Sequence, residues 1–249
     1  MFIIDKVNVS IITVTYNSEK TLKKTIESVL NQTYPVYEYS IIDGLSTDNT
    51  VKVAESYRNS FEKKNIKFNI ISQKDNGMYD AINKGIDIST GEVIGNVNSD
   101  DWYEVDTVEK VANEYKKSHF DMLYGDLRIN KPTGTMIKKA KLKKFVSTRY
   151  WNHPTTFITN ETYNKYKYKV ESMHDDLDLM LKIRKNKLKV VVINEILSNF
   201  NFGGMSNEKN IKRTMNSIKT RCKIYKNNGY SPIYYIDTFL IELAKYILA

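Results

Sequence analysis

Four short apolar runs, separated by amphipathic stretches of helical spacing, constrain this chain more than any other feature. Val9 to Val14 has strand length and is rich in β-branched residues. Leu22, Ile26, Val29 and Leu30 follow at helical spacing and make one apolar face, with Asn17 and Ser18 as the expected helix cap. Tyr39 to Ile42, Phe68 to Ile71 and Val93 to Val97 repeat the strand pattern. Between them, Val51, Ala54 and Tyr57 mark a second helix, and Met78 to Ser89 a third with Ile82 and Ile86 inward. Such alternation predicts an α/β fold: a Rossmann-like, mostly parallel central sheet with flanking helices.

In open parallel sheets, ligands bind beyond the carboxyl ends of the strands. The segments leaving the four strands are Thr15-Tyr16-Asn17, Asp43-Gly44, Gln73-Lys74-Asp75-Asn76 and Asn98-Ser99-Asp100-Asp101. Three of them carry carboxylates where a solvated loop could have carried anything.

The second half is less regular. Asp126 to Lys138 reads as a hairpin around Lys131-Pro132-Thr133-Gly134, and Thr155 to Thr159 as a short strand. Asp176 to Lys185 reads as a helix with Leu177, Met180 and Leu181 inward. Ile211, Met215, Ile218, Cys222 and Tyr225 form a helical stripe expected in the core. From Pro232 onward, Ile236, Phe239, Leu240, Leu243 and Ile247 recur at helical spacing, so a helical C-terminal extension is expected. Its apolar face has two readings: docked on the core or on a second copy in a homodimer, or lying on a membrane surface.

The formal net charge is +9, which favours anionic partners: nucleic acid, phosphorylated ligands or an anionic membrane. One cysteine, Cys222, excludes an internal disulfide and suits a reducing compartment. The opening MFIIDKVNVSIITV lacks a basic n-region and a small-residue cleavage site, and no stretch reaches the roughly 18–20 apolar residues of a spanning helix. A cytoplasmic protein is expected, with peripheral contact at the inner membrane face as the alternative.

Three constellations carry chemistry. Asn98-Ser99-Asp100-Asp101-Trp102 sets two carboxylates side by side where a strand ends and the chain turns. They repel each other unless a cation or donor groups offset the charge, and a divalent metal held by a carboxylate and substrate phosphates would do so. The bland alternative is an acidic helix start. Asp43, followed by Gly44-Leu45-Ser46-Thr47-Asp48, can accept a hydrogen bond from a base or ribose; the alternative is a capping turn made by Ser46 and Thr47. His174-Asp175-Asp176-Leu177-Asp178 again crowds carboxylates at a helix start, either as a cap or as a general base for an acceptor hydroxyl.

Taken in order, these segments resemble family 2 glycosyltransferases. Ser10 to Asn17, Leu30 to Tyr34 and Ile42 to Thr50 are similar to the opening of that family, and Asp75 to Gly85, Thr90 to Glu92 and Asn98 to Trp102 continue the match. Asn152 to Phe157, Asp175 to Asp178 and Gly203 to Ser206 are similar to the later blocks of bacterial members. The resemblance implies a GT-A fold, a nucleoside-diphosphate sugar donor (a UDP-sugar foremost), a divalent metal (Mn²⁺ or Mg²⁺) and inversion at the anomeric carbon. It implies a saccharide or lipid-linked saccharide acceptor, as in bacterial surface polysaccharide biosynthesis. Carried over by position, Thr15, Tyr16, Asp43, Asp75, Asp80 and Asp100 would serve the donor nucleotide. Asp101, with Asp100, would bind the metal, and Asp176 would be the catalytic base. His153 and Asp175 would lie on the acceptor side.

On this reading residues 1–206 form the GT-A domain, with a nucleotide half to about 102 and an acceptor half from 103, and residues 207–249 are the helical extension. Two departures stand out. Many family members carry a second acid where this chain has Gly44. The Gln-x-x-Arg-Trp block and membrane helices of processive synthases are absent from the sequence, so one sugar per encounter is expected. A nucleotidyltransferase would carry a basic phosphate-gripping loop early in the chain, where this one has Thr15-Tyr16-Asn17-Ser18. A nucleic-acid binder is disfavoured because acids at three strand ends would repel phosphate. A non-catalytic sugar-binding relative is the remaining alternative.

Overall fold

The computed structural model describes residues 6–202 and 210–248. The four apolar runs are strands β1 (Val9–Thr15), β2 (Glu38–Asp43), β3 (Lys67–Ser72) and β4 (Val93–Asn96). They lie in the order β3-β2-β1-β4, every neighbouring pair parallel. Thr15 pairs in register with Asp43, and Asp43 with Ser72, so three strands end level. Helices α1 (Leu22–Leu30), α2 (Thr50–Glu55), α3 (Arg58–Lys63) and α4 (Met78–Ile88) fill the connections.

The pleat decides which helix covers which face. Val9, Ile11, Tyr39 and Ile41 pack with Leu22, Ile26 and Val29 of α1 on one side of the sheet. Ile12, Val14 and Ile42 pack with Ile82 and Ile86 of α4 on the other. Each such aliphatic side chain, fully buried, contributes roughly 1.5–3 kcal/mol of transfer free energy.

Beyond β4 the sheet becomes mixed. The later elements are β5 (Trp102–Tyr103), α5 (Thr107–Ser118), β6 (Met122–Lys131), β7 (Gly134–Lys138), β8 (Phe157–Thr159) and β9 (Val190–Asn201). β8 runs antiparallel to both β4 and β6, β6 pairs parallel with β9, and β7 returns on β6 as the expected hairpin. The two halves of the chain therefore share one sheet, β3-β2-β1-β4-β8-β6-β9-β5, with β7 beside β6. The join between halves needs a bare backbone: a Cβ on Gly95 of β4 would lie 2.3 Å from the Phe157 ring.

Helices α6 (Asn160–Lys165) and α7 (Asp175–Lys185) precede β9, and α8 (Ile211–Asn227) and α9 (Ile233–Leu248) follow it. α8 packs on α7 and α9 on α8, which gives the helical extension. No helix among the described residues is long and apolar enough to cross a membrane.

Several local expectations are corrected. Asn17 and Ser18 do not cap α1, which begins at Leu22; the Ser18 carbonyl instead accepts from the N–H groups of Thr21 and Leu22. The second helix is broken at Ser56-Tyr57 into α2 and α3. The first part of the Thr155 to Thr159 strand is a 3₁₀ turn, His153–Thr155. The α8 stripe is core only at its end: Tyr225 is buried, Ile218 and Cys222 half-buried, and Ile211 and Met215 more than half exposed. The Gly203 to Ser206 block lies outside the described residues.

Candidate active site

The topology collects the acids at one edge. The carboxyl ends of β1, β2, β3 and β4 share it, and antiparallel β8 brings the His153 turn there, since Phe157 pairs with Gly95 near the end of β4. α4 follows β3 and so starts at this edge. Its Tyr79 hydroxyl reaches the Met173 carbonyl at 3.4 Å, just before α7, and the Asp176 carboxylate adjoins the same phenol. An open groove along β3, lined by Arg58, Phe68 and Ile71, lies away from this edge and carries no acid.

On the nucleotide side, the loops after β1 and β2 are fastened to each other. The Gly44 N–H donates to the Thr15 carbonyl (2.9 Å), the Asn17 N–H to Ser46 Oγ (2.8 Å) and the Ser18 N–H to Thr50 Oγ1 (2.7 Å). Asn17 and Leu45 accept positive φ values of 49° and 63° here. Such strained backbone persists where surrounding bonds over-determine it. Ser46 and Thr47 are thus loop ties, not caps of α2, whose N-cap Asn49 makes no side-chain cap bond.

Asp43 is fully buried. Its Oδ2 accepts from the Ser46 N–H (3.0 Å) and Ser72 Oγ (2.6 Å), and its Oδ1 from the Ser46 hydroxyl. It anchors the loop that follows β2. The exposed Tyr16 ring and the buried Thr15 Oγ1, which has no hydrogen-bond partner among the described residues, lie beside it. Asp75 lies against Gly44: a Cβ there would meet Asp75 Oδ2 at 2.6 Å and Tyr16 Cδ2 at 3.5 Å. Asp75 Oδ1 holds the Gly77 N–H (2.8 Å), where φ is 109° and glycine is required. Asp80 accepts from the Asn76 N–H (2.9 Å) and pairs with Lys84 (3.3 Å). These bonds, the Asn76 N–H foremost, lower its pKa, and they commit it to closing the loop.

The two carboxylates of the Asp100-Asp101 pair differ in burial. Asp101 is fully buried; its Oδ1 accepts from the Asn201 N–H (2.9 Å) and its backbone carbonyl from Thr25 Oγ1 (2.7 Å). Its Oδ1 is therefore turned toward the Asn201 backbone. Burial, then the charge of Asp100, pushes its carboxyl up to about 8. Asp100 is half-buried, raised by desolvation, and holds no ion pair among the described residues. A divalent cation fits this pair because it would offset a charge that no protein cation offsets. Among the described residues no three His, Cys, Asp or Glu side chains converge, so such an ion would take its remaining ligands from phosphate and water.

At the start of α7 three acids have three fates. Asp175 is buried and accepts from the Glu171 N–H (2.8 Å) and Ser172 Oγ (2.8 Å), so its expected acceptor-side place is given over to shaping that loop. Asp178 is buried between Lys169 (3.1 Å), Lys182 (2.8 Å) and Asn228 Nδ2 (2.8 Å). Asp176 accepts from the Leu177 N–H (2.8 Å) and adjoins the Tyr79 phenol, and it has no cation partner among the described residues.

Around Asp176 stand His153, expected on the acceptor side, and Tyr79, Tyr168 and Lys138, which sequence reasoning left without a role. Tyr79 stacks on Tyr168 at 4.9 Å and meets the edge of His153 at 6.2 Å. His153 Nε2 lies 3.2 Å from the Tyr168 hydroxyl, and burial lowers its pKa, with the charge of Asp176 opposing. Lys138 donates to the carbonyls of Thr148 (2.8 Å) and Trp151 (3.0 Å). Burial, then the charges of Lys245 and Arg221, lowers it to about 8. Tyr79 had a signal, its place two residues after Gly77. Lys138 had none in a chain with 38 Lys and Arg.

Residues 10–175 match the family model described as Glycosyl transferase family 2. A Mycobacterium bovis protein described as PGL/p-HBAD biosynthesis glycosyltransferase is 30% identical over 210 residues, covering 80% of this chain and 78% of the relative. Among solved structures, S. aureus TarS in complex with UDP-GlcNAc matches with a TM-score of 0.72 at 21% identity, over 96% of this chain and 72% of that one. The mannosyltransferase PcManGT from Pyrobaculum calidifontis, in complex with GDP-Man and Mn²⁺, matches with a TM-score of 0.71 at 14% identity, over 98% and 71% of the two chains. At these identities the two structures speak for the fold.

Proposed function

The chain belongs to glycosyl transferase family 2, and on that premise we propose that it moves one sugar, with inversion, from a nucleoside-diphosphate sugar to an acceptor hydroxyl. It is a glycosyltransferase of GT-A fold. The observation that supports the finer reading is how each acidic cluster is divided. Asp101, Asp175, Asp178 and Asp80 are held by backbone N–H groups, Ser172, Asn228 and lysines, whereas Asp100 and Asp176, on different elements, have no cation partner among the described residues, and Asp176 faces the Tyr79 phenol.

The donor is a UDP-sugar on this reading. Tyr16 stacks on the base, Asp75 Oδ2 and Thr15 Oγ1 take its polar edge or the ribose, and Asp43 holds the loop beneath them. Asp100 would hold a divalent metal, Mn²⁺ or Mg²⁺, which supplies Lewis-acid stabilisation of the departing diphosphate. Asp176 accepts the acceptor's proton as the acceptor oxygen bonds to the anomeric carbon. The bond from that carbon to the diphosphate breaks, and its electron pair leaves with the nucleoside diphosphate. Tyr79 and neutral His153 line the approach to Asp176 and orient the acceptor, a saccharide or lipid-linked saccharide of the kind used in surface polysaccharide assembly.

A ligand that binds only the folded state raises its stability by RT ln(1 + [L]/Kd), so thermal unfolding tests the donor class. UDP with Mn²⁺ should raise the unfolding midpoint, and chelator should cancel the shift. A midpoint indifferent to every nucleoside diphosphate and nucleotide sugar would overturn the proposal.

A further inference from the structure

α9 is docked by its polar side. Tyr234 stacks on Phe145 at 4.2 Å and on Tyr225 at 4.8 Å, and its hydroxyl accepts from the Val146 N–H. Asp237 accepts from Ser147 Oγ (2.6 Å) and from Arg149 (2.7 Å), and Glu242 pairs with buried Arg221 at 2.6 Å. The residues expected to dock, Ile236, Phe239, Leu240, Leu243 and Ile247, are instead 39–64% exposed, and Ile233 joins them at 57%. The expectation that this face rests on the core is therefore wrong, because the space beneath α9 is lined by Arg221, Arg149 and hydroxyl groups that take polar partners. Six large apolar side chains along one helix face form a strip of the kind that marks an interaction surface.

The charge around the strip selects its partner. Residues 138–149 hold six basic side chains and no acid, and residues 210–248 hold seven with two acids. These two segments carry a formal +11, against +9 for the whole chain, so the remainder is slightly acidic. The first segment runs into the residues on which α9 rests. Lys141, Lys143 and Lys144 within it are exposed and hold no ion pair among the described residues, and Leu142 between them is 48% exposed. A second copy brought against α9 about a two-fold axis would appose two such positive surfaces. An anionic bilayer complements the charge and accepts the apolar strip.

We propose that α9 lies flat on an anionic membrane surface, with Ile236, Phe239, Leu240, Leu243 and Ile247 in the acyl boundary and Lys141, Lys143 and Lys144 on the headgroups. The inference does not depend on the transfer reaction, because its test reads vesicle binding and not activity. The full chain should sediment with phosphatidylcholine vesicles that contain phosphatidylglycerol and not with phosphatidylcholine alone. Phe239→Glu/Leu243→Glu should weaken that binding about tenfold or more. Lys141→Gln/Lys143→Gln/Lys144→Gln should weaken it on the order of a hundredfold. Both variants should keep the parent unfolding midpoint, since the altered side chains are exposed. Absence of binding by the parent chain would overturn the proposal, as would binding that the helix variant leaves intact. A parent dimer that ignores vesicles and dissociates in the helix variant would assign the face to a second copy.

Discussion

Asp75 Oδ2 occupies the space a side chain on Gly44 would need, 2.6 Å from the position of its Cβ. The loop after β3 thus sets a carboxylate against the backbone that follows β2, and only a residue without a side chain at position 44 leaves room for it. Gly44→Ala should displace the Asp75 carboxylate and weaken UDP binding about tenfold, the worth of one charge-assisted hydrogen bond. The unfolding midpoint should change little, because the displaced atom is the far end of a side chain. Asp75→Asn should lose a similar factor, and the double variant no more than either alone. Calorimetric titration with UDP checks all three; additive losses would show that the two residues act separately.

The enclosure of Asp101 separates two neighbouring carboxylates into different jobs. Asp100→Asn should fold normally and lose metal-dependent UDP affinity, with kcat/KM down on the order of a hundredfold. Asp101→Asn keeps an acceptor for the Asn201 N–H and replaces a carboxyl that burial already holds up at about 8 with a neutral amide, so it should be about as stable as the parent at neutral pH and lose less activity. UDP titrations with and without Mn²⁺ distinguish the two. Equal loss in both variants would return Asp101 to the metal.

The α8–α9 pairing sets an acid limit on stability. Burial alone would raise the Glu242 carboxyl, but Lys245, Arg221 and Ser217 outweigh it and hold it down at about 2, below its ordinary 4.5. A depressed carboxyl contributes stability that is complete above its unfolded pKa and lost as pH falls through the folded one. The contribution should therefore be full above pH about 4.5 and fade towards about 2. Glu242→Gln should cost about 3 kcal/mol at neutral pH, with Arg221 left unpaired, and should flatten the acid limb of the stability curve. Denaturant unfolding from neutral to acid pH measures both.

The β1–β4 half was legible because period-2 and period-3.6 patterns are local and the acids sit where those patterns stop. What stayed hidden depends on tertiary partners. Nothing in Asp100-Asp101 tells which carboxylate Asn201 will enclose, since Asn201 arrives from β9, a hundred residues later. The acids of α7 look alike until Glu171, Ser172, Lys169 and Lys182 claim two of them. The apolar stripe of α9 was found, but its direction was not, because that was decided by Arg221, Arg149 and Thr148 underneath. Helical spacing likewise placed Ile211 and Met215 on one stripe with Tyr225, although only the end of α8 reaches the core.

On the proposed function, Asp176 is the carboxylate of the α7 cluster that is left for chemistry. That assignment is tested most directly by comparing Asp175→Asn, Asp176→Asn and Asp178→Asn in turnover per folded molecule, with UDP affinity measured on the same samples. Asp176→Asn should lower kcat by about 10³-fold, within the range typical of a general base, and leave UDP affinity within about twofold. Asp175→Asn and Asp178→Asn should lower the unfolding midpoint while the folded fraction turns over near the parent rate. An Asp176→Asn enzyme that kept its kcat, or that lost UDP affinity in its place, would remove Asp176 from the role of base.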